Sequence, residues 1–398
     1  MSARWPLACF AAMGVFWGAW AALLPDIRVQ VAASDAELGL ALVGAGAGAL
    51  PAMLLTGRLW TRFGWWLIPL TALAFGAATL TPLLAASPLA LGVAMLAIGA
   101  SSGSLDVAMN SAVSDVEAAQ QRRLMYAAHA FFSLAVLVSS VATGLARELG
   151  AGPVHVLPVV AAVFIVAAVG SARSARRYDR ARVDTPDPAG LPATGGMPSA
   201  TGAIVALAVL CALGFLIEDA IQNWSALLLE RELGAGPALG GAAPGVFGGA
   251  MFVGRSAGQW LGARISERDL LVGGALGAAA GLGLVSVAPI AVIGLIGFGI
   301  AGAGVALVAP ALFARAGRLA QPGRRGSAIA TLTVFGYTGF LAGPVIVGLL
   351  SEAAGLRVAI ACLGVLGVVL AIGGQLVLGG RRSAGFDEGE ALLRTSRG

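Results

Sequence analysis

Charged residues are scarce in this chain: they make up 11% of its 398 residues, whereas a soluble domain carries about 25%. The hydrophobic residues reach 58%, and the mean hydropathy is +0.88. A water-soluble globule is therefore excluded. Lysine is absent, because all 25 basic residues are arginine. A Walker-type phosphate loop needs a lysine, so direct coupling to ATP is excluded as well.

Cysteine and histidine are also rare, with three and two residues respectively. Cys9, Cys211 and Cys362 each lie inside an apolar run without paired spacing, which predicts small core residues and no metal site or cofactor. An intramembrane transferase would need clustered aspartates to hold magnesium-bound pyrophosphate. Asp106 and Asp115 have no third partner in the sequence, so we expect that the protein is not an enzyme.

The chain is rich in long apolar runs. Twelve runs of roughly 18 to 25 residues are each long enough for a helix to cross ~30 Å of hydrocarbon. The predicted fold class is an all-α polytopic membrane protein with twelve transmembrane helices in two six-helix bundles. The predicted spans are 6–25, 38–57, 66–85, 88–110, 125–145, 153–172, 203–228, 238–262, 269–287, 289–313, 327–350 and 357–378.

One long polar segment separates the first six spans from the last six. The first ten residues of segment 173–202 include five arginines, and the rest is rich in Pro, Gly, Ala and Thr. This composition is typical of a mobile linker. We therefore predict an N-terminal six-helix half at 1–172, a linker at 173–202, a C-terminal six-helix half at 203–378 and a tail at 379–398.

The distribution of arginine predicts the orientation in the membrane. If the N-terminus is cytoplasmic, 20 arginines lie on the cytoplasmic face and four on the other, while Arg255 falls within the eighth span. Cytoplasmic loops carry an excess of basic residues, so both termini and the linker are expected in the cytoplasm. These loops also explain the sequence pI near 9.8, and we expect no binding to nucleic acid.

The loop between the second and third spans contains a motif. Its sequence, Gly57-Arg58-Leu59-Trp60-Thr61-Arg62-Phe63-Gly64, resembles the G-x-x-x-D-R-x-G loop of the major facilitator superfamily, in which two six-helix halves rock about a central site. The resemblance makes Gly57, Arg58, Thr61, Arg62 and Gly64 gate candidates. Thr61 replaces the family's acidic residue, which implies a weakened or differently built gate. A weaker counterpart at 262–268 ends the eighth span.

Motifs in four spans resemble the fucose permease-type sugar:proton symporters and a neighbouring group of uncharacterised bacterial permeases. They are Gly103-Ser104-Leu105-Asp106-Val107-Ala108-Met109-Asn110, His129-Ala130-Phe131-Phe132-Ser133, Glu218-x5-Trp224-Ser225 and Gly336-Tyr337-x-Gly339-x3-Gly343-Pro344. In those permeases an acid-x3-Asn stretch in span four binds protons and substrate, and Asp106 and Asn110 match it. Ala21 stands where those permeases have their second acidic residue, so half of that pair is missing.

The resemblance implies a secondary active transporter. We expect it to carry a small organic solute, sugar-like in the resembled permeases, together with protons by alternating access. It also implies a monomer integral to the inner membrane of a bacterium, with lipid, protons and a small-molecule substrate as its partners.

Charged residues inside spans are costly to insert and are functional candidates by default. Asp106 and His129 lie at similar depth on spans that follow one another in the chain, about 9 to 10 Å to the cytoplasmic side of their centres at the helical rise. We expect the two side chains to meet and exchange protons near neutral pH. A structural hydrogen bond between helices is the alternative.

Span seven carries two polar stripes. Glu218 and Gln222 share one face, and Asp219 and Asn223 share another about 100° around the helix. Two polar stripes on one helix cannot both face lipid, so this helix is predicted to line a watery cavity. Of the two acids, Glu218 is the favoured site residue.

Aromatic side chains and one arginine complete the candidate set. Trp17 and Trp20 in span one either stack on a sugar or apolar solute or belong to the aromatic belt or the core. Trp224 either closes the cavity or anchors at the headgroups. Tyr337 joins the set through the resemblance. Arg255 either neutralises Asp106 or an anionic substrate, or belongs to the inner gate, and we favour the gate.

The direction of transport is left open by the sequence. Drug-exporting relatives resemble one another in a G-x3-G-P motif in span five, but here residues 133–144 of span five lack proline and the motif lies in span eleven. This favours symport of a polar metabolite. Proton-antiport efflux of drugs or metabolites is the alternative.

Overall fold

The protein is almost entirely helical. The computed structural model describes residues 4–120, 124–182, 202–261, 264–320 and 325–379, and these ranges contain helices without any β-strand. The predicted all-α polytopic fold class is thereby confirmed. The α-helices are α1 Arg4–Gln30, α2 Asp35–Phe63, α3 Leu67–Ala78, α4 Pro88–Gln120, α5 Met125–Glu148, α6 Pro153–Arg182, α7 Gly202–Glu232, α8 Pro237–Leu261, α9 Glu267–Ser286, α10 Ala291–Leu319, α11 Arg325–Ala354 and α12 Leu356–Gly379.

Several helices extend beyond the predicted spans. Helix α6 continues to Arg182. Residues 173–182 are therefore helical, whereas the sequence predicted that they belong to an irregular linker. This stretch is rich in Ala and Arg, which favour helix, and it contains no Pro or Gly. The rest of the predicted linker (183–201), most of the predicted tail (380–398) and residues 262–263 of the counterpart motif lie outside the described residues.

The lengths and apolar surfaces of the helices fit a membrane. Ten stretches of the described chain are long and apolar enough to cross one, and one of these, Asp35–Leu84, contains both α2 and α3. Helix α8 is not among the ten. Large apolar side chains such as Leu54 and Leu89 lie exposed on the outer surface, where lipid would cover them. The protein is an integral membrane protein.

Helix packing repeats between the two halves. In the first half α1 packs on α5, α2 on α4 and α3 on α6; in the second half α7 packs on α11, α8 on α10 and α9 on α12. The halves meet chiefly through α5 with α8 and α2 with α11, two interfaces that this repeat makes equivalent. The space between the halves is therefore bounded by matching helices from each.

Glycine permits the closest of these approaches. A Cβ atom built on Gly99 of α4 would overlap the carbonyl oxygen of Ala45 in α2, and one on Gly48 would overlap that of Leu96. Small residues allow such backbone contact, which compensates for the lack of a hydrophobic driving force between helices in lipid. Helices α2 and α4 consequently form a closely packed pair that supports one side of the central space.

Candidate functional site

A cavity of about 410 Å³ lies between the two halves. Helices α1, α2, α4 and α5 contribute to it from the first half, and α7, α8 and α11 from the second. Its volume falls in the range of ~300–1,000 Å³ that is typical of small-molecule sites. The sequence-predicted residues that line it are Trp17, Asp106, His129, Glu218, Asp219, Gln222, Asn223, Arg255 and Tyr337.

Helix α7 supplies most of the polar wall. Glu218, Asp219, Gln222 and Asn223 all line the cavity, as expected for a helix with two polar stripes. Arg255 of α8 donates from one guanidinium nitrogen to both carboxylate oxygens of Glu218, at 3.1 and 3.4 Å. The structure thus places Arg255 in the cavity wall beside an acid, not with the loop residues of the predicted gate, because α8 runs along the cavity.

Asp106 and His129 reach the cavity separately. Asn110 donates to the Asp106 carboxylate at 3.0 Å, within α4. The His129 ring instead packs edge-on against Phe10, with 5.2 Å between ring centroids. The expected pairing of Asp106 with His129 is not among the described contacts, because α4 packs mainly on α2 and α5 mainly on α1. Spans four and five follow one another in the chain but do not pack closely on each other.

Two of the three cavity carboxylates have no basic partner among the described residues. Glu218 pairs with Arg255, whereas Asp106 accepts a hydrogen bond only from the neutral amide of Asn110. Beside Asp219, the amide of Asn223 donates to the Asp219 backbone oxygen at 2.9 Å. The two carboxylates that remain come from different halves of the protein.

The remaining lining is mainly apolar. One face of α2 contributes Leu42, Ala45, Gly46, Ala49 and Met53, without a polar side chain. Five of the eight methionines and several aromatic rings also line the cavity. The methionines are Met13, Met53, Met95, Met109 and Met251, and the aromatic residues are Phe10, Trp17, Phe132, Tyr337 and Phe340.

Trp20 and Trp224 do not line the cavity, although both were site candidates. Each is 0% exposed, and neither indole nitrogen has a hydrogen-bond partner among the described residues. Trp20 stacks on Phe16 at 6.0 Å between ring centroids. Both tryptophans are therefore core residues in this structure and do not reach a solute or the lipid headgroups.

The predicted gate loop ends α2 and leads into a short 3-10 turn. Arg58, Thr61 and Arg62 are exposed, and Thr61 donates to the Arg58 carbonyl oxygen at 2.9 Å within its own helix. A Cβ on Gly57 would meet nothing within 4 Å. Gly64 has a φ of +50°, which favours glycine at the turn. These described contacts remain local and do not join the halves.

We call the end of the molecule where α1 begins the N-terminal face, and the other end the opposite face. The described ionic contacts between the halves lie at the opposite face. Arg147, at the end of α5, donates to Asp26 of α1 at 2.8 Å and to Glu230 of α7 at 2.6 Å. Its side chain is only 3% exposed. We call Arg147, Asp26 and Glu230 the opposite-face latch, since it connects the N-terminal half to the C-terminal half.

Asp35, in the first turn of α2, forms a second connection at this face. Its carboxylate accepts from Arg28 at 2.9 Å within the N-terminal half, and from Arg231 at 2.6 Å and Ser351 at 2.5 Å in the C-terminal half. Its backbone nitrogen donates to Glu352 at 3.1 Å. The opposite face is therefore closed by two polar clusters.

The sequence analysis missed the latch, although the chain contains a signal for it. Trp20-Ala21-Ala22-Leu23-Leu24-Pro25-Asp26 in α1 and Trp224-Ser225-Ala226-Leu227-Leu228-Leu229-Glu230 in α7 share a pattern of W-x-A-L-L-x-acid. Both acids bond to Arg147, and both tryptophans are buried. A search for internal repeats would have indicated paired roles for Asp26 and Glu230.

Comparisons with known proteins agree with this architecture. The sequence model of the Major Facilitator Superfamily matches residues 207–387. An uncharacterised MFS-type transporter of Yersinia pestis is 31% identical over 375 residues, which cover 93% of this chain and 94% of that protein.

Two solved structures show the likeness of the fold. A variant of the nucleoside transporter NupG has a TM-score of 0.77 at 11% identity, covering 94% of this chain and 100% of that one. A bacterial homologue of the human lysosomal transporter Spinster, in an inward-facing and occupied conformation, has a TM-score of 0.72 at 15% identity, covering 94% and 96%. At such identities the likeness concerns the fold alone.

Proposed function

Because the chain belongs to the major facilitator superfamily, we propose that it is a proton-coupled secondary transporter that moves a small organic solute by alternating access. Members of this family are transporters and not enzymes. The proposal places the solute in the cavity between α1–α6 and α7–α12, with each half moving as a body. It also places the protein in the inner membrane of a bacterium as a monomer with cytoplasmic termini.

The observation that carries the proposal is the pair of carboxylates without a described basic partner. Asp106 from the first half and Asp219 from the second line one cavity, and no described basic side chain neutralises either. An unpaired charge at membrane depth is costly, and binding a proton removes it. Protonation would therefore change the relative stability of the inward-facing and outward-facing states if these states expose the carboxylates to different surroundings.

Charges at the two ends support an inward-facing state. The excess of arginine supports a cytoplasmic location of the N-terminal face, and the opposite-face latch is closed. Arg255 is 43% exposed within the cavity lining, as expected if water enters from the N-terminal side. Opening the other side would break the bonds of Glu230 to Arg147 and of Arg231 to Asp35, because both cross between the halves.

Two directions of coupling fit this scheme. In symport the proton and the solute bind together, as the resemblance to sugar:proton symporters favours. In antiport a proton and a cationic solute occupy the same carboxylates in turn, which the excess of carboxylates in the cavity favours. Proton movement on addition of solute therefore distinguishes the two.

The test uses purified full-length protein in liposomes that contain a pH-sensitive dye. Sugars, amino acids and amines are added outside, and internal pH is recorded for the wild type, Asp106→Asn and Asp219→Asn. Asp269→Asn is the matched control, because Asp269 is an exposed residue in the first turn of α9 outside the cavity.

We expect solute-dependent proton flux in the wild type and the Asp269→Asn control, and its loss in at least one cavity variant. Proton entry with the solute would indicate symport, and proton exit would indicate antiport. Solute uptake without proton movement, or full proton flux in both cavity variants, would refute proton coupling through these carboxylates.

A further inference from the structure

The charges in the cavity do not balance. Its described charged groups are the carboxylates of Asp106, Glu218 and Asp219 and the guanidinium of Arg255, with His129 as a further titratable group. Arg255 bonds to Glu218, which leaves two carboxylates and at most one imidazolium. The lining of the cavity is therefore negative whether His129 is charged or neutral, unless protons occupy the carboxylates.

The apolar part of the lining restricts the solute further. The α2 face offers no hydrogen-bonding side chain to the cavity, and methionines line it from α1, α2, α4 and α8. A neutral sugar has hydroxyls on every side, and burying them against such a wall without partners is costly. Methionine is flexible and adapts to apolar bodies of varied shape. The lining suits a solute with one polar end and one apolar end.

We infer that the solute is an organic cation with a single positive charge and an apolar or aromatic body; this rests on the proposed function of the cavity as the transport site. The cationic end lies beside Asp219 and Asp106, and the body lies against α2. Trp17 and Tyr337 also line the cavity, and a cation positioned over the face of such a ring would be attracted to it. Cation and proton compete for the same carboxylates, so their fluxes run in opposite directions.

The experiment compares probes of matched shape. Calorimetry measures binding of benzyltrimethylammonium, whose charge does not depend on pH, to the purified full-length protein. Binding of its neutral isostere neopentylbenzene and of the neutral sugar D-xylose is measured in the same way. The heat of each titration is corrected by a titration of the same probe into protein-free detergent. The variants are Asp219→Asn, Arg255→Gln and the control Asp269→Asn.

Benzyltrimethylammonium is expected to bind, and to bind at least tenfold more tightly than either neutral probe. Asp219→Asn should weaken its binding at least tenfold, which corresponds to about 1.4 kcal/mol. Arg255→Gln should tighten it severalfold, because that change releases the Glu218 carboxylate. A damaged fold would weaken binding, so the opposite signs of the two variants separate charge from structural loss.

Several results would overturn the inference. They are the absence of benzyltrimethylammonium binding, equal or tighter binding of a neutral probe, or an affinity that neither cavity variant changes. Proton-coupled uptake of D-xylose in liposomes would then leave the proposed function standing with a neutral solute. Conversely, cation binding without any proton flux would retain the cation assignment and refute proton coupling.

Discussion

Replacing Glu230 by glutamine is expected to open the opposite face of the protein, whereas replacing Asp26 by asparagine is not. Both acids bond to Arg147, so the two changes remove the same kind of contact from the same side chain. Only the bond to Glu230 crosses between the halves. The bond to Asp26 lies within the N-terminal half and is expected to persist when the halves separate.

The contacts of Arg147 set the size of the effect. Its guanidinium bonds to the Glu230 carboxylate at 2.6 and 3.1 Å, and its side chain is 3% exposed. Hydrogen bonds to charged groups contribute roughly 1.5–3 kcal/mol. Losing that amount only in the closed state shifts the ratio of open to closed roughly 10- to 150-fold, at 1.4 kcal/mol per factor of ten. Asp26→Asn should lower thermal stability instead.

Spin-label distances across the opposite face would measure this shift. Labels at Val29 of α1 and Ala353 of α11 occupy exposed positions at the ends of helices from different halves. In a background without the native cysteines, Glu230→Gln should add a longer distance population, and Asp26→Asn should keep the short one. Equal broadening by both variants, or no change in either, would refute the assignment of Glu230 as the contact that opens.

Two further predictions concern stability, and thermal unfolding in detergent would check each. Gly99→Ala should destabilise the protein by about 1–3 kcal/mol, because the new methyl group overlaps the Ala45 carbonyl oxygen. In the control variant Gly273→Ala the new methyl group meets nothing within 4 Å, so this change should be neutral or stabilising. Equal melting temperatures for the two variants would contradict the contact between Gly99 and Ala45. Ser225→Ala should preserve or raise stability by up to about 1 kcal/mol, since it removes a buried hydroxyl without a described partner and Ala21 stands at the equivalent place in α1. A clear loss of stability in Ser225→Ala would mean that its hydroxyl has a partner.

Much of the fold could be predicted because apolar runs report directly on membrane spans. The ends of the helices could not, since they depend on propensity outside the hydrocarbon. Helix α1, for example, continues through Pro25 to Gln30, and α6 continues to Arg182. Hydropathy shows where lipid contact is possible and does not show where helical hydrogen bonding stops.

The charged residues that line the cavity could be predicted from the sequence, and their pairings could not. The cost of a charge within a span identified Asp106, Asp219, Glu218 and Arg255 from the sequence alone. Which of them meet depends on the faces that seven helices turn toward one cavity. Arg255 consequently bonds to Glu218, although the sequence favoured a gate role for the arginine. The expected contact between Asp106 and His129 was not found either, because α4 and α5 pack mainly on other helices.

The shared use of Arg147 by two acids has a consequence for how this protein can change over generations. A variant that loses the arginine leaves two carboxylates, Asp26 and Glu230, without their common partner. A second-site suppressor at either acid alone would still leave the other uncompensated. Recovery of the closed state would then need two further substitutions, so suppressors of Arg147 variants should be found less often than suppressors of variants in either acid.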